Sequence, residues 1–255
     1  MRIALFAADR VGTEISKFFY EKNEPLSCLV IDSKDPKNFN DQIINYFRST
    51  GGSRIIASDS IYEPKTIKAL RNLHLDLILL AWWPYIIKSE LLRLPRIGCL
   101  NFHPSYLPFN RGKHYNFWSI VEDVPFGVTI HWVTEEIDAG DIAFQTLIET
   151  SWEDTGETLY HRAQSEIIRL FVKNFRLIKR GKIPRIPQDL EQGSFHYGHE
   201  IEKASMINLD QDYNARHLLN LIRARTFPPF PGVRFIENGK MYEVQIRITE
   251  VRKET

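Results

Sequence analysis

The sequence predicts an α/β protein built on a mostly parallel sheet flanked by helices. Three observations carry this. Short, continuous apolar runs recur through the first part of the chain, as strands buried on both faces do. Segments of helical periodicity alternate with them, the pattern of right-handed βαβ units. Loops rich in Pro, Gly and polar residues follow the later runs, and open α/β sheets hold ligands at such strand ends. The composition agrees: 255 residues, 43% hydrophobic and 25% charged, supply one large core plus a small appendage.

Arg2 to Ala8 is an apolar run and reads as the first buried strand. Asp9 to Thr13 leads into a helix expected over Glu14–Asn23. Its single Gly12 is not a dinucleotide fingerprint, which needs three glycines in register. Leu26–Ile31 is the second strand, Asn38–Ser49 a helix, and Arg54–Ala57 a short third strand. Glu63-Pro64 opens a helix through Leu73, with Pro64 allowed in the first turn. Leu75–Ala81 is the fourth strand. The adjacent Trp82 and Trp83 then read either as a loop packed down by aromatics or as a flat apolar wall for a ring-shaped ligand. Lys88–Leu94 is a short helix ended by Pro95, and Gly98–Phe102 the fifth strand.

Lys113–Glu122 is helical. Phe126–Val133 alternates, with Val128, Ile130 and Trp132 on one face, and Ile142–Glu149 is its expected partner strand. Glu157–Arg180 is a long amphipathic helix, with Thr155 as cap and Gly181 as stop. The Pro-rich stretch from Ile183 to Gly193 reads as a connector. After it come a helix at Asp212–Arg223, the rigid Thr226–Gly232 segment, and a hairpin at Val233–Ile246 turning on Asn238-Gly239.

Net charge is +1, which argues against broad binding to nucleic acid or a membrane surface. The two cysteines, Cys28 and Cys99, fall in apolar runs and are expected as buried thiols rather than a bridge. There is no charged-then-apolar leader and no apolar run of membrane-spanning length, so a cytoplasmic location is expected.

The chemistry concentrates after the fifth strand. Asn101 and His103 alternate about Phe102, so on a strand they share a side. An amide donor beside an imidazole can steady a developing oxyanion and move a proton. A carboxylate is then needed to orient the imidazole, and Asp138 and Asp141 are both candidates, with Gly140 between them permitting close approach. Each feature alone also has a structural reading: a lone strand-end histidine packs, and Asp-Ala-Gly-Asp is a turn. No metal site is expected, because His103 lacks a second ligand at helix or strand spacing and no Cys cluster exists.

Taken together, Gly98-Cys-Leu-Asn101-Phe-His103-Pro-Ser105-Tyr-Leu107-Pro108-x-x-Arg111-Gly112, then Gly127-Val-Thr129-Ile130-His-Trp-Val, then Ile137-Asp138-Ala-Gly140-Asp141, resembles the formyltransferase family that uses 10-formyltetrahydrofolate. Methionyl-tRNA formyltransferases, glycinamide ribonucleotide transformylases and sugar-nucleotide N-formyltransferases belong to that family. The resemblance implies a Rossmann-like formyltransferase fold, with a catalytic domain over 1-182 and a small helix-plus-hairpin subdomain over 183-255. It places the catalytic residues at Asn101, His103 and Asp138. It implies a folate pterin held by Trp83, Tyr85 and Ile86 on one loop and Ile137, Gly140 and Asp141 on the other, with no metal.

Asn110-Arg111-Gly112-Lys113-His114-x-Asn116-x-Trp118 is most similar to the sugar-nucleotide branch. The Arg225–Gly232 segment with its hairpin is similar to the C-terminal part of the amino-sugar enzymes, where such a hairpin helps form a homodimer. Only about 75 residues follow the long helix, too few for the OB-type domain of the tRNA enzymes. The resemblance therefore implies transfer to a nucleotide-linked amino-dideoxy sugar such as dTDP-4-amino-4,6-dideoxyglucose, for O-antigen or other surface-glycan biosynthesis. Arg111, Lys113 and His114 are candidates for the diphosphate and Tyr197 and Phe230 for the base. A methionyl-tRNA formyltransferase-like enzyme and a catalytically silent nucleotide-sugar or folate binder are the alternatives.

Overall fold

The computed structural model describes residues 1–35 and 37–251. Its elements run β1 (Ile3–Ala7), α1 (Asp9–Glu21), β2 (Cys28–Ile31), α2 (Asn40–Ser49), β3 (Ile55–Ala57), α3 (Pro64–Asn72), β4 (Leu77–Ala81), α4 (Ser89–Leu92) and β5 (Gly98–His103). They continue with β6 (Arg111–Gly112), α5 (Tyr115–Val121), β7 (Gly127–Trp132), β8 (Ile142–Leu147), α6 (Gly156–Lys179), β9 (Phe195–His196), α7 (Glu200–Ala204), α8 (Ala215–Arg225), β10 (Val233–Glu237) and β11 (Lys240–Val244). The seven-stranded sheet has the order β3-β2-β1-β4-β5-β7-β8. Every pair from β3 to β5 is parallel, whereas β7 joins β5 antiparallel. The mostly parallel α/β architecture expected of the sequence is the observed one.

The apolar runs are strands because both of their faces are covered. On one face, Phe18 and Phe19 of α1 interlock edge-on with Phe171 and Phe175 of α6, and Phe102 of β5 packs on Phe171 with ring centroids 5.3 Å apart. On the other, Ala4, Phe6, Val30, Ile78, Leu80 and Cys99 pack under Ile67 and Leu70 of α3 and Leu91 of α4. Each fully buried side chain of this size contributes about 1.5–3 kcal/mol. Burial also pushes the Cys28 and Cys99 thiols up to about 12, so both stay neutral and inert.

The chain divides into two compact units. The first comprises Met1–His103, Thr129–Thr146 and Gln164–Gln188; the second comprises Pro104–Val128, Leu147–Ala163 and Asp189–Thr255. In the second, α5 packs on α8, and β6 pairs in parallel with β9. Arg223 is buried there because its guanidinium donates to the carbonyls of Ser151 and Asp154, each at 2.9 Å. The β10–β11 hairpin turns on Asn238 and Gly239, whose φ values of +50° and +73° explain the Asn-Gly pair.

Three local departures from the sequence reading have physical causes. Helix α1 starts at Asp9, five residues early, with that acidic residue in its first turn and its carboxylate accepting from the Arg10 amide. The stretch after Lys182 is more than a connector, because Ile186 pairs with Ile142 and the Trp132 indole donates to the Pro184 carbonyl at 2.7 Å. The short α7, β6 and β9 carry too few residues for any periodicity to show.

Candidate active site

Strand β5 aims two polar side chains the same way. Cys99, Asn101 and His103 alternate with Leu100 and Phe102, and Phe102 is the one that enters the α1/α6 core. Cys99 belongs to the opposite core, so Asn101 and His103 emerge on that side, where Trp83 also packs. The antiparallel register then sets His131 of β7 directly opposite Asn101. Beyond β7 the chain reverses, and Asp138, at φ +52°, turns its carboxylate back to the pair.

The result is a compact polar cluster within the first unit. Asp138 Oδ2 lies 3.5 Å from His103 Nδ1, and Asp138 Oδ1 lies 3.4 Å from His131 Nε2 and 3.4 Å from Asn101 Nδ2. Asn101 Nδ2 is also 3.2 Å from His131 Nε2. The His103 and His131 rings stand edge to face, their centroids 6.0 Å apart. Both imidazoles are buried and the carboxylate nearly so. His131 Nδ1 lies 2.9 Å from the Trp132 carbonyl and donates to it, which leaves Nε2 turned toward Asn101 and Asp138. Asp138 facing His103 Nδ1 favours the tautomer protonated there and makes Nε2 the basic nitrogen.

His131 has no role in the sequence reading. The signal was present, since a histidine sits on the face of β7 opposite Val128, Ile130 and Trp132, but only the strand register shows what it meets. It also supplies the second imidazole that the sequence spacing lacked. His103, His131 and Asp138 each offer one ligand atom, all within 4.8 Å of one another, a donor set able to take a cation.

The two acidic candidates of the turn separate. Asp138 joins the cluster, whereas Asp141 pairs with Arg185 at 3.6 Å, and Arg185 in turn stacks over the Trp132 ring at 3.6 Å. Gly140 is required: a Cβ there would lie 2.8 Å from the Trp132 carbonyl carbon and closer still to its oxygen. Ile137 is exposed at the start of the turn.

Of the aromatic loop, Trp83 packs edge-on against Phe6 at 5.2 Å and against Tyr85 at 5.5 Å. The Tyr85 hydroxyl donates to Asp32 Oδ1 at 2.6 Å, and that bond holds the phenol above its ordinary pKa. Ile86 is two-thirds exposed. An apolar wall with an open edge suits a flat heterocycle.

Arg111, Lys113, His114, Tyr197 and Phe230 all belong to the second unit. Arg111 lies over the Phe195 ring, 5.8 Å from its centroid. His114 Nε2 donates to the Gly198 carbonyl at 3.1 Å, and burial depresses its pKa. Tyr197 stacks on His199, while Phe230 packs edge-on against Phe227; both remain more than half exposed. Nearby, His196 sits between two carboxylates, Glu122 at 2.8 Å and Glu200 at 3.0 Å, and stacks on Trp118 at 3.9 Å.

The family model for formyl transferase matches residues 23–174, more than half of the chain. The chain belongs to the formyl transferase family. A second model, the N-formyltransferase dimerization C-terminal domain, matches residues 200–250. Among solved structures, a 4-N formyltransferase from Francisella tularensis is 25% identical, covers 98% of each chain and superposes with a TM-score of 0.81. A sugar N-formyltransferase from Shewanella sp FDAARGOS_354 shares the fold at a TM-score of 0.81, with 21% identity over 99% of each chain. Among curated proteins, the methionyl-tRNA formyltransferase of Fusobacterium nucleatum subsp. nucleatum is 30% identical over 96% of this chain and 80% of its own length. That of Methylacidiphilum infernorum (isolate V4) is 33% identical, but the match spans 69% of this chain and about half, 54%, of the relative. Among the described residues, no helix of this formyl transferase is long and apolar enough to cross a membrane.

Proposed function

We propose that this formyl transferase moves a formyl group from 10-formyltetrahydrofolate to the amine of a nucleotide-linked amino-dideoxy sugar, dTDP-4-amino-4,6-dideoxyglucose being the first candidate. Two observations favour the sugar over the tRNA: the end-to-end correspondence with the 4-N formyltransferase, and the match of residues 200–250 to the N-formyltransferase dimerization C-terminal domain. We read 1-182 as the catalytic part and 183-255 as the subdomain. The exposed Ile236 and Met241, paired across the hairpin, are the surface through which two copies associate.

The roles follow from the cluster. His103, its Nδ1 held by Asp138, accepts a proton at Nε2 from the sugar amine; general acid–base help of this kind typically contributes about 10² to 10⁴ in rate. Asp138 then faces the imidazolium and stabilises it until Nε2 gives that proton to the leaving nitrogen, as the bond from the formyl carbon to that nitrogen breaks. The Asn101 amide fixes His131 and Asp138 at 3.2 Å and 3.4 Å. The longer of those bonds is the weaker, so its hydrogen is the one to turn toward a developing oxyanion, a donor typically worth about 3 kcal/mol. The donor folate supplies the reactive formyl carbon when bound. Trp83 and the rim of Tyr85 and Ile86 hold its ring and exclude water, opposite the Ile137–Asp141 turn. We assign the diphosphate to Lys113, Arg111 and His114, and the base to Tyr197 and Phe230.

The test is formylation with Asn101→Ala and His103→Ala proteins, scored against a panel of nucleotide-linked amino sugars. Near wild-type transfer by either variant sinks the assignment. The second reading, formylation of methionyl-tRNA, is favoured by the 30% identity across 96% of this chain. Tight, salt-sensitive tRNA binding that competes with transfer would establish it instead.

A further inference from the structure

We infer that Gln188 is a positioning residue for the transfer, acting through Asp138. The inference rests on the reading of Asp138 as the carboxylate that orients His103.

Gln188 ends the proline-rich strap that follows α6. Its side-chain amide nitrogen donates to two carbonyls of the turn, that of Asp138 at 2.9 Å and that of Gly140 at 2.6 Å. One NH₂ group thus spans three residues of the turn from outside it. Its own carbonyl oxygen, Oε1, is buried and has no hydrogen-bond partner among the described residues. A buried, unpaired amide oxygen is costly, so apolar packing alone does not account for a glutamine here. What the amide offers this site is its pair of hydrogens.

The turn needs an external hold. Asp138 is in the left-handed region at φ +52°, which a non-glycine residue keeps only when its surroundings impose it. The strap supplies three further ties at nearby points. Ile186 pairs with Ile142, Pro184 accepts from the Trp132 indole, and Arg185 stacks on Trp132 while pairing with Asp141. None of these three bonds residues 138 to 140. The Gln188 amide, by contrast, reaches the Asp138 backbone itself. On this inference, the 3.4–3.5 Å separations of the Asp138 carboxylate from His103, His131 and Asn101 depend on that amide.

The inference is tested by a double-mutant cycle on the full chain. Gln188→Ala, Asp138→Asn and the double variant are assayed with 10-formyltetrahydrofolate and dTDP-4-amino-4,6-dideoxyglucose. Gln188→Met, of similar length, guards against a folding defect in the alanine variant. Gln188→Ala and Gln188→Met should lower kcat about 10- to 100-fold, because a misplacement on the order of 1 Å costs that much, with KM little changed. In the Asp138→Asn background the same substitutions should have almost no further effect on kcat, since they act through a carboxylate no longer present. Additive losses would mean a merely structural role and overturn the inference. Wild-type kcat in both Gln188 variants, with Asp138→Asn slow, would overturn it alone; wild-type kcat in Asp138→Asn would overturn the reading of the site as well. A crystal structure of Gln188→Ala gives a readout that needs no acceptor: the Asp138 carboxylate should have moved off His103 Nδ1, and an unchanged 3.5 Å separation would refute the role.

Discussion

Replacing Gly140 by alanine is the sharpest single perturbation of the turn. The new Cβ would stand 2.8 Å from the Trp132 carbonyl carbon, whereas ordinary contacts begin at 3.4 Å, so the carbon alone demands 3.4 − 2.8 = 0.6 Å of movement. The carbonyl oxygen lies nearer and is backbone, fixed by β7, so relieving both requires more movement still; a displacement on the order of 1 Å already costs about 10²-fold in rate when it reaches a reacting group. The turn is the part free to give, and it carries Asp138 two residues away. Overpacking of this kind costs about 1–3 kcal/mol, and for a chain of this size 2 kcal/mol lowers Tm by about 4–8 °C. Thermal unfolding followed by circular dichroism and steady-state kinetics measure the two effects. Gly140→Ala should show a lower Tm and a kcat reduced about 100-fold, with KM changed far less. A variant with wild-type Tm and wild-type kcat would show that the close approach does not hold the carboxylate in place.

The buried thiols, His114 and the hairpin have testable consequences of their own. With both thiols pushed up to about 12 by burial, Cys28 and Cys99 should resist a disulfide reagent in native protein at pH 8 and both react after unfolding in guanidinium; rapid native labelling would contradict their burial. Burial lowers the folded-state pKa of His114 below its unfolded value near 6.5. The unfolded chain therefore binds the extra proton first, and stability should fall as pH drops below about 6.5. His114→Asn should flatten that slope in pH-dependent denaturation, and an unchanged slope would remove His114 as its source. Ile236→Lys with Met241→Lys should dissociate a dimer formed through the hairpin. Losing two buried apolar side chains at about 1.5–3 kcal/mol each weakens association by at least about 10²-fold, and light scattering would show a monomer; an intact dimer would place the interface elsewhere.

What the sequence made legible was local. The apolar runs marked β1, β4 and β5, and the alternation about Phe102 showed that Asn101 and His103 share a side. Asn238-Gly239 announced its turn, because only a few residues tolerate positive φ at both positions. What it hid was set by pairing across the chain. Nothing near His131 indicates that β7 enters the sheet antiparallel beside β5, and that register alone brings His131 to Asn101. The same holds for Gln188, whose neighbours suggest a linker and whose partners lie 50 and 48 residues away. His196, between Glu122 and Glu200, is another meeting that no local pattern encodes.

The central claim is tested most directly by following labelled formyl carbon from 10-formyltetrahydrofolate into dTDP-4-amino-4,6-dideoxyglucose and related nucleotide-linked amino sugars. The account predicts transfer by the wild-type chain, transfer reduced by orders of magnitude in His103→Ala, and none to methionyl-tRNA. Label appearing on methionyl-tRNA and on no amino sugar would contradict it.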